Sequence, residues 1–173
     1  ESGQSRWDGP GDATAETIEH DLGILSRYAE CIRIYTATGP GGRILESAER
    51  HGLKVFLGAW IGRDRQRNAL EIDAALALAR QHPKLVRALV VGNEVLLRRE
   101  MAPEELAGLI GEVKARSPVP VAYADVTHFI EVNPVVARTG REQHLRQPHA
   151  GTQVLVGAVA GNPIPLLGLV RVT

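Results

Sequence analysis

Four short apolar runs, rich in β-branched residues, alternate along this chain with longer stretches in which apolar residues recur every three or four positions. The runs are Cys31 to Thr36, Leu53 to Trp60, Leu85 to Val91 and Val119 to Ala124. Near-continuous apolar runs of this length read as strands covered on both faces, as parallel strands inside α/β proteins are. The periodic stretches read as helices. The first runs from a Thr14 cap to about Glu30 and puts Ile18, Leu22, Leu25 and Tyr28 on one stripe. A short one spans Ile44 to His51, with Gly52 placed for a left-handed cap. Asp64 can cap the next, which carries Leu70, Ala74 and Leu78 and stops at Pro83. Ala102-Pro103-Glu104-Glu105 opens a fourth, with proline suited to the first turn and two acids near the positive end. Strand and helix thus alternate with short connections, the pattern of right-handed βαβ units and a parallel sheet.

Polar residues interrupt this pattern where the strands end. Gly92, Asn93 and Glu94 follow the third run directly. An ionised carboxylate without a partner is costly to desolvate, and in a β/α barrel the C-terminal strand ends form the active face. Asn93 and Glu94 are therefore a candidate site; the alternative is a surface glutamate opening a loop. Tyr35 and Trp60 lie at or near strand ends, where their rings can line a groove, although Tyr35 is better suited to packing inside a barrel. Asp125 closes the fourth run. Trp7 lies in a Gly- and Pro-rich loop, Glu1 to Asp12, as rim cover or as a stacking surface. Thr38-Gly39-Pro40-Gly41-Gly42 lacks the spacing of a dinucleotide fingerprint and the lysine of a P-loop, so it reads as a turn. Arg98 and Arg99 read as solvated loop charges. His144 and His149 lack the context of a zinc site, and no metal is expected.

Composition narrows the partner class. Lys and Arg number 20, as do Asp and Glu, so the net charge is zero. Nothing marks a surface for nucleic acid or an anionic membrane, and a neutral polysaccharide is compatible. No apolar run approaches the ~18 residues of a membrane-crossing helix. Cys31 is the only cysteine, which excludes an internal disulfide. No leader peptide is visible and the chain opens at Glu1, so the compartment stays open. The 173 residues suffice for one core, yet a complete (β/α)8 barrel typically takes about 250. A barrel here is expected to be incomplete.

The segment V-V-G-N-E-V-L-L-R, Val90 to Arg98, resembles the acid/base segment of glycoside hydrolase family 17, the β-1,3-glucanases and β-glucan transferases. Four further segments keep the family's order: G-Q-S-R-W-D-G-P, C-I-R-I-Y-T, H-G-L-K-V-F-L-G-A-W-I-G-R-D and P-V-P-V-A-Y-A-D-V. Together they cover roughly Glu1 to Arg138. The resemblance implies a partial (β/α)8 TIM barrel with helices outside, its four parallel strands corresponding to the family's second through fifth. It implies that Glu94 is the general acid/base and that Asn93 bonds the sugar 2-hydroxyl. Tyr35, Trp60, Tyr123 and Asp125 would line the substrate site. The substrate would be a β-1,3-glucan, hydrolysed or transferred with retention and without a cofactor. Retention needs two carboxyl groups about 5–5.5 Å apart. The family's nucleophile lies in a Gly-Glu-Thr-Gly-Trp-Pro segment on the seventh strand, which has no counterpart here. Asp125 is the nearest other carboxylate by topology, at what is a pocket position in the family.

Family members often carry Trp-Glu where this chain has Thr127-His128, and from Thr139 the resemblance ends. The expected organisation is a partial barrel over 1–138 and an unmatched, irregular tail over 139–173. Codons for Gly140 to Ala150 read one nucleotide later permit Val-Glu-Asn-Asn-Ile-Phe-Val-Asn-Leu-Met-Pro, close to the family's sixth strand. The tail is therefore expected to be frame-shifted, and the chain as it stands to lack turnover. Two other readings stay open: a sugar-binding α/β module with Asn93 and Glu94 as ligands, and a gene fragment without stable function.

Overall fold

A computed structural model describes residues 14–141 and 168–169. Trp7, Glu142 and most of the expected tail lie outside the described residues. The element order is α1 (Ala15–Leu25), β1 (Cys31–Ile34), α2 (Gly41–Arg50), β2 (Lys54–Ala59), α3 (Arg65–Gln81), β3 (Val86–Asn93), α4 (Pro103–Arg116), β4 (Val121–Ala124), α5 (Thr127–Glu131), α6 (Pro134–Arg141) and β5 (Gly168–Leu169). Strands β1 to β4 are parallel neighbours in chain order. With their connecting helices they form a partial (β/α)8 TIM barrel.

The sheet's register sorts the strand residues by face. Ile34, Leu57, Leu89 and Val121 lie in one cross-strand row. All four are buried in a cluster with Leu45, Leu76, Leu106 and Ile110 of the helices. Arg33, Phe56 and Ala88, one residue earlier along their strands, form a row on the opposite face. Gly58 sits where a Cβ would lie 2.6 Å from the Ile34 carbonyl oxygen, so β1 and β2 approach as closely as they do because residue 58 has no side chain.

Thr14 caps α1 as expected, its hydroxyl accepting from Thr17 N at 3.1 Å. The helix ends at Leu25, earlier than its apolar stripe implies. Ser26 donates back to Gly23 O at 3.0 Å, the last turns tighten, and Tyr28 is left 75% exposed. The glycine pair read as turn is instead the first turn of α2, preceded by Gly39 at φ +65°. In α3 the buried face is Asn68, Glu71, Ile72, Ala75, Leu76 and Ala79, and Leu70 is exposed. Ala74 and Leu78 of the expected stripe pack against the core at its margin, and the centre of the buried face is shifted by two polar side chains, Asn68 and Glu71, in inward positions. Beyond β4, α6 packs on α4, where Lys114 Nζ donates to Thr139 O at 2.8 Å. Gly168–Leu169 pairs antiparallel with β1, unlike the parallel units of the barrel.

Candidate active site

The C-terminal ends of β1 to β4 bring together residues that are up to 92 positions apart, from Arg33 to Asp125. The site is centred on the end of β3. Its register against β4 slips between Val90 and Asn93, and Gly92 has φ +85°. A Cβ on Gly92 would lie 2.7 Å from Val95 Cγ2, so both space and conformation require glycine. Glu94 follows at φ +55°. For a residue with a side chain this left-handed conformation costs about 1–2 kcal/mol and persists only where the surroundings impose it.

The surroundings are specific. Glu94 N donates to Ala124 O at 2.8 Å, and Glu94 O accepts from Arg98 N at 2.9 Å. The carbonyl of Asn93, on the other side of the same peptide, accepts from the Arg98 guanidinium. On β1, Arg33 Nη2 donates to Asn93 Oδ1 at 3.0 Å. That leaves the two Nδ2 donors of Asn93 for another acceptor. The Arg33 guanidinium also lies 4.6 Å over the Tyr35 ring. Burial pulls its pKa below the ordinary value, opposed by the Tyr35 hydroxyl and the Glu94 carboxylate. Arg33 Nε is buried without a hydrogen-bond partner among the described residues.

Behind Glu94, Asp125 is 3% exposed. It accepts from Leu96 N at 3.1 Å, Leu97 N at 3.4 Å, Val126 N at 2.7 Å and the Tyr123 hydroxyl. Tyr123 in turn accepts from Leu96 N at 3.1 Å. Burial and the bond to Asp125 push the Tyr123 pKa well above the usual phenol value. Asp125 Oδ2 and the Tyr123 hydroxyl hold the loop after β3, while Asp125 Oδ1 is taken by Val126 N. Trp60, after β2, stacks against Arg98 with the guanidinium 4.3 Å from its ring. Beside it lies a cleft of about 200 Å³ lined by Gly62, Arg63, Asp64, Asn68 and Glu100 among others.

The chain matches the model of the BtgE/BtgC glycoside hydrolase domain over residues 5–140. It belongs to that family. Curated relatives include a glucan 1,3-beta-glucosidase of Arthroderma benhamiae, 31% identical over 103 residues, 58% of this chain and 33% of that protein. Another glucan 1,3-beta-glucosidase, from Candida albicans, is 27% identical over 57% of this chain and 32% of its own length. The chain thus spans about a third of the curated relatives it matches. Among solved structures, a Rhizomucor miehei beta-1,3-glucanosyltransferase in complex with laminaritriose superposes at TM-score 0.59 with 26% identity. That match covers 73% of this chain and 48% of the transferase. An endo-laminarinase from Formosa has the same fold at TM-score 0.64, with 17% identity, 75% of this chain and 44% of that one.

Within this BtgE/BtgC domain the strand ends bring Arg33, Asn93 and Glu94 together, with Tyr35 under Arg33 and Trp60 on Arg98. Three structural participants escape a sequence reading. Arg33 carried a signal, a charge inside the apolar run C-I-R-I. Glu71 carried one too, a carboxylate on the inward stripe of a helix. It is 2% exposed and accepts from Thr36 and Thr38 Oγ1, Ala37 N at 2.9 Å and Trp60 N at 3.3 Å. One side chain of α3 thereby ties down the loops after β1 and β2. Arg98 showed its charge but nothing of its partners, and the expectation that it is a solvated loop charge is wrong. Its side chain is only 23% exposed and donates to Asn93 O, Ile61 O and Glu100.

Proposed function

We propose that this chain carries the acid/base half of a retaining glycoside hydrolase site acting on β-1,3-glucan. The observation that carries the reading is the Asn93–Glu94 pair at the end of β3, imposed in a left-handed turn beside Arg33 in a BtgE/BtgC domain. Glu94 is the general acid/base: it protonates the glycosidic oxygen as the bond breaks, then deprotonates the acceptor that releases the sugar. Asn93, with Oδ1 held by Arg33, gives its Nδ2 donors to the sugar 2-hydroxyl. Tyr35 and Trp60 line the groove through their rings. Tyr123 and Asp125 shape the pocket from behind. The names of the relatives, glucan 1,3-beta-glucosidases and a laminaritriose-bound transferase, support a β-1,3-glucan as substrate. Zero net charge suits a neutral polymer.

The attacking carboxylate belongs to a strand that this chain does not match. Asp125 does not replace it, because its oxygens already accept four donors. The chain as it stands is therefore expected to show no hydrolysis of β-1,3-glucan above background, and glucan binding without turnover is the second reading. The proposed division is a barrel-derived part over 1–138 and a tail over 139–173 read out of frame; codons that forbid the shifted reading of Gly140 to Ala150 would sink that part. The functional test has two arms. Calorimetry with laminaritriose should show binding by the 173-residue chain, weakened in Asn93→Ala. Residues 1–138 joined to an in-frame remainder with the seventh-strand Glu should hydrolyse or transfer glucan. Glu94→Gln should then remove about 10²–10⁴-fold of that activity. Absence of laminaritriose binding rejects the substrate. Turnover by the unmodified chain that vanishes in Asp125→Asn makes Asp125 the nucleophile.

A further inference from the structure

We infer that Arg98 is a positioning residue that fixes the ring of Trp60 and the Asn93–Glu94 peptide against one another. The proposed stacking surface and the proposed acid/base then move as one body. The idea deepens the glucan reading and rests on it for the roles of Trp60 and Glu94, while its physical content can be measured without a ligand.

The geometry is that of a clamp. The Arg98 guanidinium donates through Nη1 to Asn93 O at the end of β3, and through Nη2 to Ile61 O beyond the end of β2 at 3.0 Å. Its face lies 4.3 Å from the Trp60 ring centroid. The guanidinium is itself oriented by Glu100, whose Oε2 accepts from Nε at 2.9 Å and Nη2 at 2.6 Å. Both members of that pair are 23% exposed. One rigid planar cation thus meets two carbonyls, a carboxylate and an indole. The Asn93–Glu94 peptide is gripped at both ends, by Arg98 at its carbonyl and by Ala124 O at its N–H. This grip holds the peptide whose rotation defines φ of Glu94, at +55°. Arg98 N also closes the turn onto Glu94 O at 2.9 Å. Lysine cannot substitute. An ammonium is a point charge without the planar fork that reaches both carbonyls while stacking on a ring.

The test uses the full 173-residue chain with Trp7→Phe, which leaves Trp60 as its only tryptophan. Trp60 emission, its quenching by acrylamide, and the Glu94 amide resonance are measured without ligand, followed by laminaritriose titration. Arg98→Lys should shift the emission, raise the quenching and displace the Glu94 amide. Laminaritriose affinity should fall about tenfold, the effect of losing one charge-assisted contact. Glu100→Gln should shift all three in the same direction to a smaller extent, and it decides the matter if Arg98→Lys does not fold. Unchanged Trp60 and Glu94 signals in the folded variant overturn the proposal. Displacement of one signal without the other overturns the coupling. If the parent chain does not bind laminaritriose, the glucan reading fails, and the ligand-free signals still decide the role of Arg98.

Discussion

Glycine and carboxylate positions show how narrowly single residues define this site. Gly58→Ala puts a Cβ 2.6 Å from the Ile34 carbonyl, backbone against backbone, and neither strand can give way without breaking its register. We expect a loss of about 1–3 kcal/mol, the usual range for overpacking, read from urea midpoints. Gly111→Ala is the contrasting case. A Cβ there meets nothing within 4 Å in the interior of α4, and stability should rise by about 0.5–1 kcal/mol. Glu71 is a third test. Four donors converge on its oxygens, so Glu71→Met, an apolar side chain of similar length, leaves the Ala37 and Trp60 N–H groups without their acceptor. A cost of about 1–3 kcal/mol is expected from thermal melts, with the loops after β1 and β2 loosened and Trp60 emission altered.

Among the elements, helix α3 begins at a cap that local sequence dictates. Asp64 accepts from Gln66 N at 2.9 Å and Arg67 N at 3.1 Å. Asp64→Ala should therefore cost about 1 kcal/mol. Helices α1 and α2 are clasped by Glu19, which accepts from Ser47 and Arg50 at 2.6 Å and pairs with His51 Nε2 at 2.8 Å. Its hydrogen bonds, first to Arg50 and then to Ser47, lower its pKa from 4.5 to about 2. A pKa depressed on folding means that the unfolded chain takes up the proton first. The clasp's contribution is complete above about pH 5 and fades as pH falls toward about 2. The difference in urea midpoint between the parent and Glu19→Gln should shrink over that window, and added salt should narrow it at any pH.

In the whole molecule, the middle strands should be the most protected. Strands β2 and β3 are hydrogen-bonded to a strand on each side, whereas β4 has one neighbouring strand among the described residues. Amide exchange should be slowest at Leu57 and Leu89, both fully buried, and faster along β4 and α5, which has no buried residue. Exchange at β4 as slow as at β2 would mean that this edge is covered in solution.

The sequence alone determined the succession of elements from α1 to β4, because helix and strand differ in period and because Thr14 and Asp64 cap helices through contacts only two or three residues long. It also placed Asn93 and Glu94 at the end of the third strand, since a polar pair closing an apolar run stands out without any partner in view. The tertiary structure decided the rest. Which face of α3 turns inward depended on Glu71 and Asn68 finding donors and acceptors in loops that no helical period encodes. Arg33 meets Asn93 across 60 positions because β1 and β3 flank β2 in a parallel sheet. Arg98 became a clamp for the same reason. Its charge was legible, but the two carbonyls and the indole that it holds lie on different strand ends, and only packing brings them within reach.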